Sequence, residues 1–196
     1  LRTLAPEAQL AVIESLLTQL AKLVPDAGLE GSHVSPPPRH LEAIYQTAVP
    51  RRPATPLSSS TLLTRNKAEP ALGHELSAEV SSANAIHILS AFITLSGVRA
   101  IRDALETFAR EGGKLRVLTT VFTGTTEVEA LDALARLEGA EVRVSYDVLR
   151  TRLHAKAWLF ERDSGLHTAY VGSANFTKTA LGSGHEWMVK ACAADL

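Results

Sequence analysis

The chain has 196 residues, enough for one domain with a sizeable core and a short appendage. Its formal net charge is −1, which excludes a strongly basic protein that binds nucleic acid through its overall charge, so any such contact has to come from a local patch. Cys192 is the only cysteine, which excludes an intrachain disulfide and a cysteine-based zinc site and is typical of a reducing cytoplasm.

The first 52 residues are predicted to form a helical and proline-rich extension of a main domain over 53–196. Apolar residues recur at helical spacing over 6–24, between Pro6 and Pro25, which predicts an amphipathic helix. Prolines then punctuate residues 25–60, which indicates a linker with one short helix at 40–48. No stretch is apolar enough to span a bilayer, so we expect a soluble, cytoplasmic protein without membrane contact.

From residue 72 onward, predicted helices and strands alternate. Helices are expected over 72–83, 97–110 and 126–137, and strands over 85–94, 114–121, 141–146, 152–160, 168–171 and 186–191. This alternation predicts an α/β fold with a mainly parallel or mixed β-sheet flanked by helices. Ligands bind at strand ends in such sheets.

Two of the later strands bring polar side chains to one strand-end site. Alternation places His154 and Lys156 on the same face of a strand, about 7 Å apart, which is two residues of strand rise. The next strand ends at Gly172, which allows a sharp turn and leaves Ser173 and Asn175 nearby. A nucleophile or base, a cation and two neutral donors suit a phosphodiester.

The spacing of these residues resembles the HKD signature of the phospholipase D superfamily. The matching pattern is His154-x-Lys156, an acid at Glu161 and then Gly172-Ser173-x-Asn175, although the family usually has Asp where Glu161 stands. Phe176-Thr177-Lys178 and Glu186 resemble the nuclease branch. A looser resemblance over 53–190 is to the phospholipase D-like domain at the N-terminus of certain bacterial superfamily 2 DNA helicases. It rests on Thr55-Pro56-Leu57-Ser58, Ala91-Phe92 and residues 116–120 and 143–147.

The resemblance implies an α-β-α sandwich and a metal-independent phosphodiesterase, a hydrolase that cleaves DNA without a cofactor. His154 is then the nucleophile that forms a phosphohistidine, while Lys156, Ser173 and Asn175 hold the phosphoryl oxygens. A carboxylate, by resemblance Glu186, hydrogen-bonds the His154 ring.

The mechanism requires two histidines, and the chain has one copy of the motif. We therefore expect a homodimer in which two His154 side chains face each other. The chain begins with Leu1 and ends soon after a predicted strand, so we also expect it to be part of a longer protein, fused to or partnered with a helicase domain.

Several of these residues also have ordinary structural interpretations. Ser173 could cap a helix that begins near Phe176, and Lys178 could be either a phosphate contact or solvent-exposed. Arg152, with Arg150 and Arg143, could bind the DNA backbone or form a solvated edge. Glu161 and Glu186 could be surface acids.

The alternative function is a non-catalytic DNA-binding module that targets a helicase. In that case the same groups bind the DNA backbone without cleaving it, and a monomer is sufficient for binding. A lipid phosphodiesterase is disfavoured because the sequence has no evident interfacial anchor.

Overall fold

A computed structural model describes residues 5–25, 52–64, 69–150 and 152–193. The chain divides into two compact units, Leu1–Pro50 and Arg51–Leu196. In the first unit, helix α1 spans Pro6–Leu23, as its apolar spacing predicts. The helix predicted at 40–48 lies outside the described residues. Among the residues that are described, no helix combines the length and apolar character needed to cross a membrane.

The second unit contains a seven-stranded sheet in the order β1-β7-β6-β5-β2-β3-β4. Its strands are β1 (Thr61–Leu63), β2 (Ala85–Ser90), β3 (Lys114–Thr120), β4 (Ala140–Ser145), β5 (Lys156–Glu161), β6 (Thr168–Gly172) and β7 (Met188–Cys192). Its helices are α2 (Leu72–Val80), α3 (Leu95–Ala100), α4 (Arg102–Arg110), α5 (Val128–Ala135) and α6 (Lys178–Leu181).

The sheet is mixed. Strands β2, β3 and β4 pair in parallel and are joined by helical crossovers, whereas β1, β7, β6 and β5 pair antiparallel, as does β5 with β2. The predicted α/β fold with helices flanking a sheet is therefore confirmed, and of the two predicted sheet types the mixed one is present.

One face of the sheet forms the core of the unit. Side chains alternate along β5, so that Trp158 and Phe160 are buried while Leu159 is 39% exposed. The buried face packs with apolar residues of the helices into one cluster, which includes Leu76, Leu105 and Leu134. Burial of this face fixes the strand register, because a slip of one residue would expose it.

One predicted strand is shorter in the structure, and one predicted helix is divided. The strand predicted over 85–94 ends at Ser90, whose hydroxyl donates to the Phe92 carbonyl and accepts from the Phe176 N–H. The helix predicted over 97–110 is divided at Ile101, where φ is −126° and ψ is 22°. Both breaks involve backbone geometry that the apolar pattern does not report.

The registers bring one end of all seven strands to the same edge of the sheet. Strands β1, β2, β3, β4 and β6 end there, and β5 and β7 begin there, since Ser90 pairs with Lys156 and Met188 pairs with both Gly172 and Leu63. We call this the site edge. The sequence-predicted histidine, lysine and serine all lie along it.

Candidate active site

His154 and Lys156 lie at the start of β5, but only Lys156 belongs to the strand. Lys156 pairs with Ser90, and His154 precedes the strand by two residues. The prediction that His154 is itself a strand residue is therefore wrong. Arg152, with a φ of 32°, turns the backbone two residues before His154. Beyond the paired residues of β2 and β5, a further hydrogen bond joins the two segments, from the Ala91 N–H to the Ala155 carbonyl at 3.1 Å.

The Lys156 ammonium contacts both the ring and the backbone of His154. Its Nζ lies 2.8 Å from Nδ1 and 3.1 Å from Nε2, and it donates to the His154 carbonyl at 2.9 Å. Because an ammonium can only donate, it hydrogen-bonds whichever of the two ring nitrogens carries no proton. The ring of Phe92 meets the imidazole edge-on at a centroid distance of 5.8 Å. His154 is therefore positioned from two sides, although it is exposed to solvent.

Lys156 is the buried cation of the site, with 8% of its surface exposed. Burial lowers the pKa of its ammonium, and the negative charge of Glu186 partly opposes that shift by raising it. The net direction is downward. A partly desolvated ammonium binds phosphoryl oxygens more strongly than a fully hydrated one.

Ser173 follows β6 and is held by its neighbours on β7. Its hydroxyl donates to Oε2 of Glu186 and accepts from the Trp187 N–H at 3.1 Å, while its own N–H donates to the Trp187 carbonyl at 3.0 Å. In the part of the chain that is described, Glu186 therefore hydrogen-bonds Ser173 and not the His154 ring. The expected Glu186–His154 contact is not formed here.

Gly172 allows β6 and β7 to approach each other closely, and it does not form a sharp turn. It is the last residue of β6 and stays paired with Met188. A Cβ at this position would lie 2.0 Å from the Trp187 carbonyl oxygen, so no larger residue fits without moving β7. The glycine of the motif thus permits the pairing that holds Ser173.

Asn175 ties the loop after β6 to the end of β2. Its Oδ1 accepts from the Phe92 N–H at 3.3 Å, and the Phe176 N–H donates to the Phe92 carbonyl at 3.1 Å. With Oδ1 used in this way, the carboxamide nitrogen is left as the donor. Among the described residues it has no hydrogen-bond partner.

Glu161, the acid of the spaced motif, lies outside the site. It ends β5 opposite Ala85, five residues of strand from Lys156 and hence about 17 Å away. Its Oε1 lies 3.2 Å from Nε2 of His87. The fixed spacing in sequence places this acid at the other edge of the sheet.

The two other predicted substrate contacts, Lys178 and Arg152, are exposed. Lys178 is the first residue of α6, which Thr177 caps by accepting from the Ala180 N–H at 3.3 Å, so Ser173 is not the cap. The Arg152 guanidinium lies 5.4 Å from the centroid of the Phe122 ring. Both cations are free of the core, and their roles stay a prediction.

The sequence analysis missed a buried charge network beneath the sheet. Glu79 is fully buried and accepts from Arg162, from the Thr168 hydroxyl and from the Tyr170 hydroxyl at 2.8 Å, and Lys190 lies 3.0 Å from it. Burial raises the pKa of the Tyr170 phenol well above its ordinary value, and the Glu79 carboxylate raises it further, so the hydroxyl keeps its proton.

This network also fixes the segment that precedes β1. Lys190 donates to the carbonyl and hydroxyl oxygens of Thr55 at 2.9 and 2.8 Å, and the Thr55 hydroxyl donates to Glu75 at 2.6 Å. The sequence signal was Thr55 itself, within the Thr-Pro-Leu-Ser stretch, but its partners are distant in the chain.

Comparison with protein families gives the class of this chain. Residues 76–195, more than half of the chain, match the family model described as "Cardiolipin synthase, PLD-like domain". The chain therefore belongs to this phospholipase D-like family. The match covers His154, Lys156, Ser173 and Asn175. A search of curated proteins finds no significant match.

Similar solved structures have low sequence identity to this chain. NucT from Helicobacter pylori is 17% identical, with a TM-score of 0.57 over 70% of this chain and 87% of its own. Nuc from Salmonella typhimurium, a phospholipase D family member, is 21% identical, with a TM-score of 0.48 over 67% of this chain and 81% of its own. Polyphosphate kinase from Porphyromonas gingivalis is 18% identical, with a TM-score of 0.49 over 70% of this chain and 24% of its own. The similarity to NucT supports the fold assignment.

Proposed function

We propose that this chain is a metal-independent phosphodiesterase that cleaves DNA through a phosphohistidine on His154. The observation that carries the proposal is the contact of the Lys156 ammonium with the His154 ring, at 2.8 Å from Nδ1, beside the Ser173 hydroxyl at the same edge of the sheet. A nucleophile next to a phosphate-binding cation is the arrangement that phosphoryl transfer requires.

In the first step, a ring nitrogen of His154 attacks phosphorus and the bond from phosphorus to the leaving oxygen breaks. An acid supplies the proton that the leaving oxygen takes up. In the second step, water attacks the phosphohistidine, the phosphorus–nitrogen bond breaks, and the same acid, now a base, accepts the proton of the water. Lys156, the Ser173 hydroxyl and the Asn175 carboxamide stabilise the negative charge on the phosphoryl oxygens.

The resting contact between Lys156 and His154 gives the first step a trigger. Without substrate, the ammonium donates to the ring nitrogen and occupies its lone pair. An incoming phosphodiester offers two oxygens that share a negative charge, and these are better acceptors for an ammonium than a ring nitrogen. The cation then transfers its hydrogen bond to the phosphate and releases the His154 lone pair for attack.

We assign the required acid to His154 of a second copy, so the active form is a homodimer. Titration of a fixed amount of wild-type chain with the inactive His154→Ala chain tests this assignment. If each active site needs both histidines, mixed dimers are inactive and excess variant suppresses the wild-type activity, whereas independent monomers keep that activity unchanged. We also propose that the chain is fused to, or partnered with, a helicase domain that supplies the DNA substrate.

Cleavage of labelled DNA and of bis(p-nitrophenyl) phosphate in excess EDTA tests the function, with wild-type chain and His154→Ala compared. Activity that survives EDTA and is lost in the variant supports the proposal. Salt-sensitive DNA binding without cleavage by either chain would instead favour a non-catalytic targeting module.

A further inference from the structure

The aromatic residues of the described chain fall into two groups. The buried ones belong to the core or the helical layer and are Phe108, Trp158, Phe160, Tyr170 and Phe176. The remaining ones are exposed or half-buried and are Phe92, Phe122, Tyr146 and Trp187. Every member of the second group lies within two residues of a strand end at the site edge. The solvent-accessible aromatic residues therefore lie near the candidate phosphate site, whereas the buried ones lie in the core.

The strand order sets the sequence of these residues along the edge. From β7 to β4 it runs Trp187, Ser173, His154, Phe92, Phe122 and Tyr146. With about 4.8 Å between neighbouring strands, Trp187 lies roughly 10 Å from His154 on one side, and Tyr146 roughly 14 Å away on the other. The two most exposed aromatic side chains thus flank the site.

Trp187 and Tyr146 are exposed to an extent that packing does not explain. Trp187 is 64% exposed and Tyr146 is 76% exposed. The Trp187 backbone is fixed beside Ser173, because its N–H and carbonyl both hydrogen-bond that residue. An aromatic ring that is exposed to solvent beside a phosphate-binding residue is available to a ligand that carries both a phosphate and a flat ring.

Cations accompany the aromatic residues on the β4 side of the site. Arg150 and Arg152 are exposed in the connection between β4 and β5, and the Arg152 guanidinium lies over the Phe122 ring at 5.4 Å. Cations beside exposed aromatic rings are typical of surfaces that bind single-stranded nucleic acid, since cations follow the backbone and rings stack on the bases.

We propose that single-stranded DNA lies along the site edge, across the strand ends, with unpaired bases stacked on Trp187 and Tyr146. The inference rests on the proposed function and adds its substrate class. In a duplex, the base faces are already stacked and paired, so they reach these rings only after the strands have been unpaired. Trp187 and Tyr146 therefore select for single strands, whereas Lys156 and Ser173 bind the phosphate of either form.

Equilibrium binding tests the inference independently of catalysis. Fluorescence anisotropy would measure the Kd of a labelled oligo(dT) single strand and of a duplex of equal length, using the His154→Ala chain to prevent turnover. Trp187→Ala and Tyr146→Ala are each expected to weaken single-strand binding roughly tenfold, as loss of one stacking partner does. Duplex binding should change less than twofold. Trp187→Phe and Tyr146→Phe, which keep a ring, should retain most of the affinity.

Leu166→Ala provides the matched control, because Leu166 is an exposed apolar residue, 39% accessible, in the connection between β5 and β6 at the opposite edge. It should leave both Kd values unchanged. The inference is overturned if both alanine variants bind the single strand within twofold of their parent, or if duplex binding weakens equally. It is also overturned if the loss coincides with a change in oligomeric state, which would make these rings subunit contacts.

Failure of the proposed function has a different signature. A wild-type chain that does not hydrolyse bis(p-nitrophenyl) phosphate, a substrate without nucleobases, contradicts the phosphodiesterase. The anisotropy measurement still decides whether Trp187 and Tyr146 bind bases.

Discussion

The side-chain nitrogen of Lys156 lies 2.8 Å from Nδ1 of His154 and 2.9 Å from the carbonyl oxygen of the same residue. One cation therefore holds both the ring and the backbone of the candidate nucleophile. Lys156 is buried and belongs to β5, so its contacts position a histidine that lies outside any strand. This relationship determines how several substitutions should behave.

Replacement of the lysine should abolish most catalysis while leaving the fold intact. Lys156→Met keeps the length of the side chain but removes the charge that stabilises the phosphoryl oxygens. We expect kcat to fall about 10²- to 10³-fold, as for loss of one preorganised donor. Lys114→Met, at an exposed lysine that begins β3 at the other edge, is the control and should retain wild-type kcat. Equal losses in both variants would contradict the assignment.

The activity should have an alkaline limit set by Lys156. An ordinary lysine has a pKa of 10.5, and burial lowers the pKa of Lys156. The ammonium must be protonated to bind phosphate, so the loss of kcat/KM on raising the pH should occur below 10.5. Because the Glu186 charge raises this pKa, Glu186→Gln should move the limit to still lower pH. A pH–rate profile of the two chains measures both effects, and an upward shift in the variant would be incompatible with them.

The two acids of the sequence pattern should differ in importance. Glu186→Gln removes the charged partner of the Ser173 hydroxyl, and a hydrogen bond to a charged group is worth about 1.5–3 kcal/mol, so activity should fall at least tenfold. Glu161→Gln affects only a contact with His87 at the opposite edge and should leave activity near wild type. Steady-state kinetics of both variants decide the matter. If Glu161→Gln were the more damaging change, the placement of the site would be wrong.

Substitution of Glu79 in the buried network should lower the stability of the fold strongly, without changing any residue of the active site. Glu79→Ala leaves Arg162 and Lys190 buried without their shared carboxylate. Breaking a buried ion pair in this way costs about 3–5 kcal/mol, which should appear as a lower urea midpoint. Glu106→Gln, which removes a solvent-exposed pair with Arg102, should leave the midpoint unchanged. A mild effect of Glu79→Ala would mean that solvent reaches the network.

The order of strands and helices could be predicted because apolar periodicity reports burial directly. Alternation along β5 correctly separated Lys156, Trp158 and Phe160 from the opposite face. Apolar spacing also located α1. By contrast, periodicity contains no information on strand direction, so it could not establish that β5, β6 and β7 run antiparallel to their neighbours.

The site could be predicted only as a set of residues, because its hydrogen bonds join distant parts of the chain. Ser173 hydrogen-bonds Glu186, and Asn175 hydrogen-bonds Phe92. Glu79, on α2, forms ion pairs with Arg162 and Lys190, which are more than 80 residues away in the chain. No local pattern specifies such contacts. Glu161 belongs to the same spaced motif as His154, but almost the whole length of β5 separates the two residues, so membership of the motif does not mean proximity in the fold.

Trapping of the covalent intermediate tests the central claim most directly. The wild-type chain is mixed in EDTA with single-stranded DNA labelled at both ends, so that whichever fragment stays on the protein carries label. The reaction is quenched in alkaline denaturant, in which a phosphohistidine survives, and the products are separated on a denaturing gel. We predict a labelled protein–DNA adduct that maps to His154, is absent from His154→Ala and is retained in Lys114→Met. Cleavage by the wild-type chain with no adduct, or with an equal adduct in His154→Ala, would contradict His154 as the nucleophile.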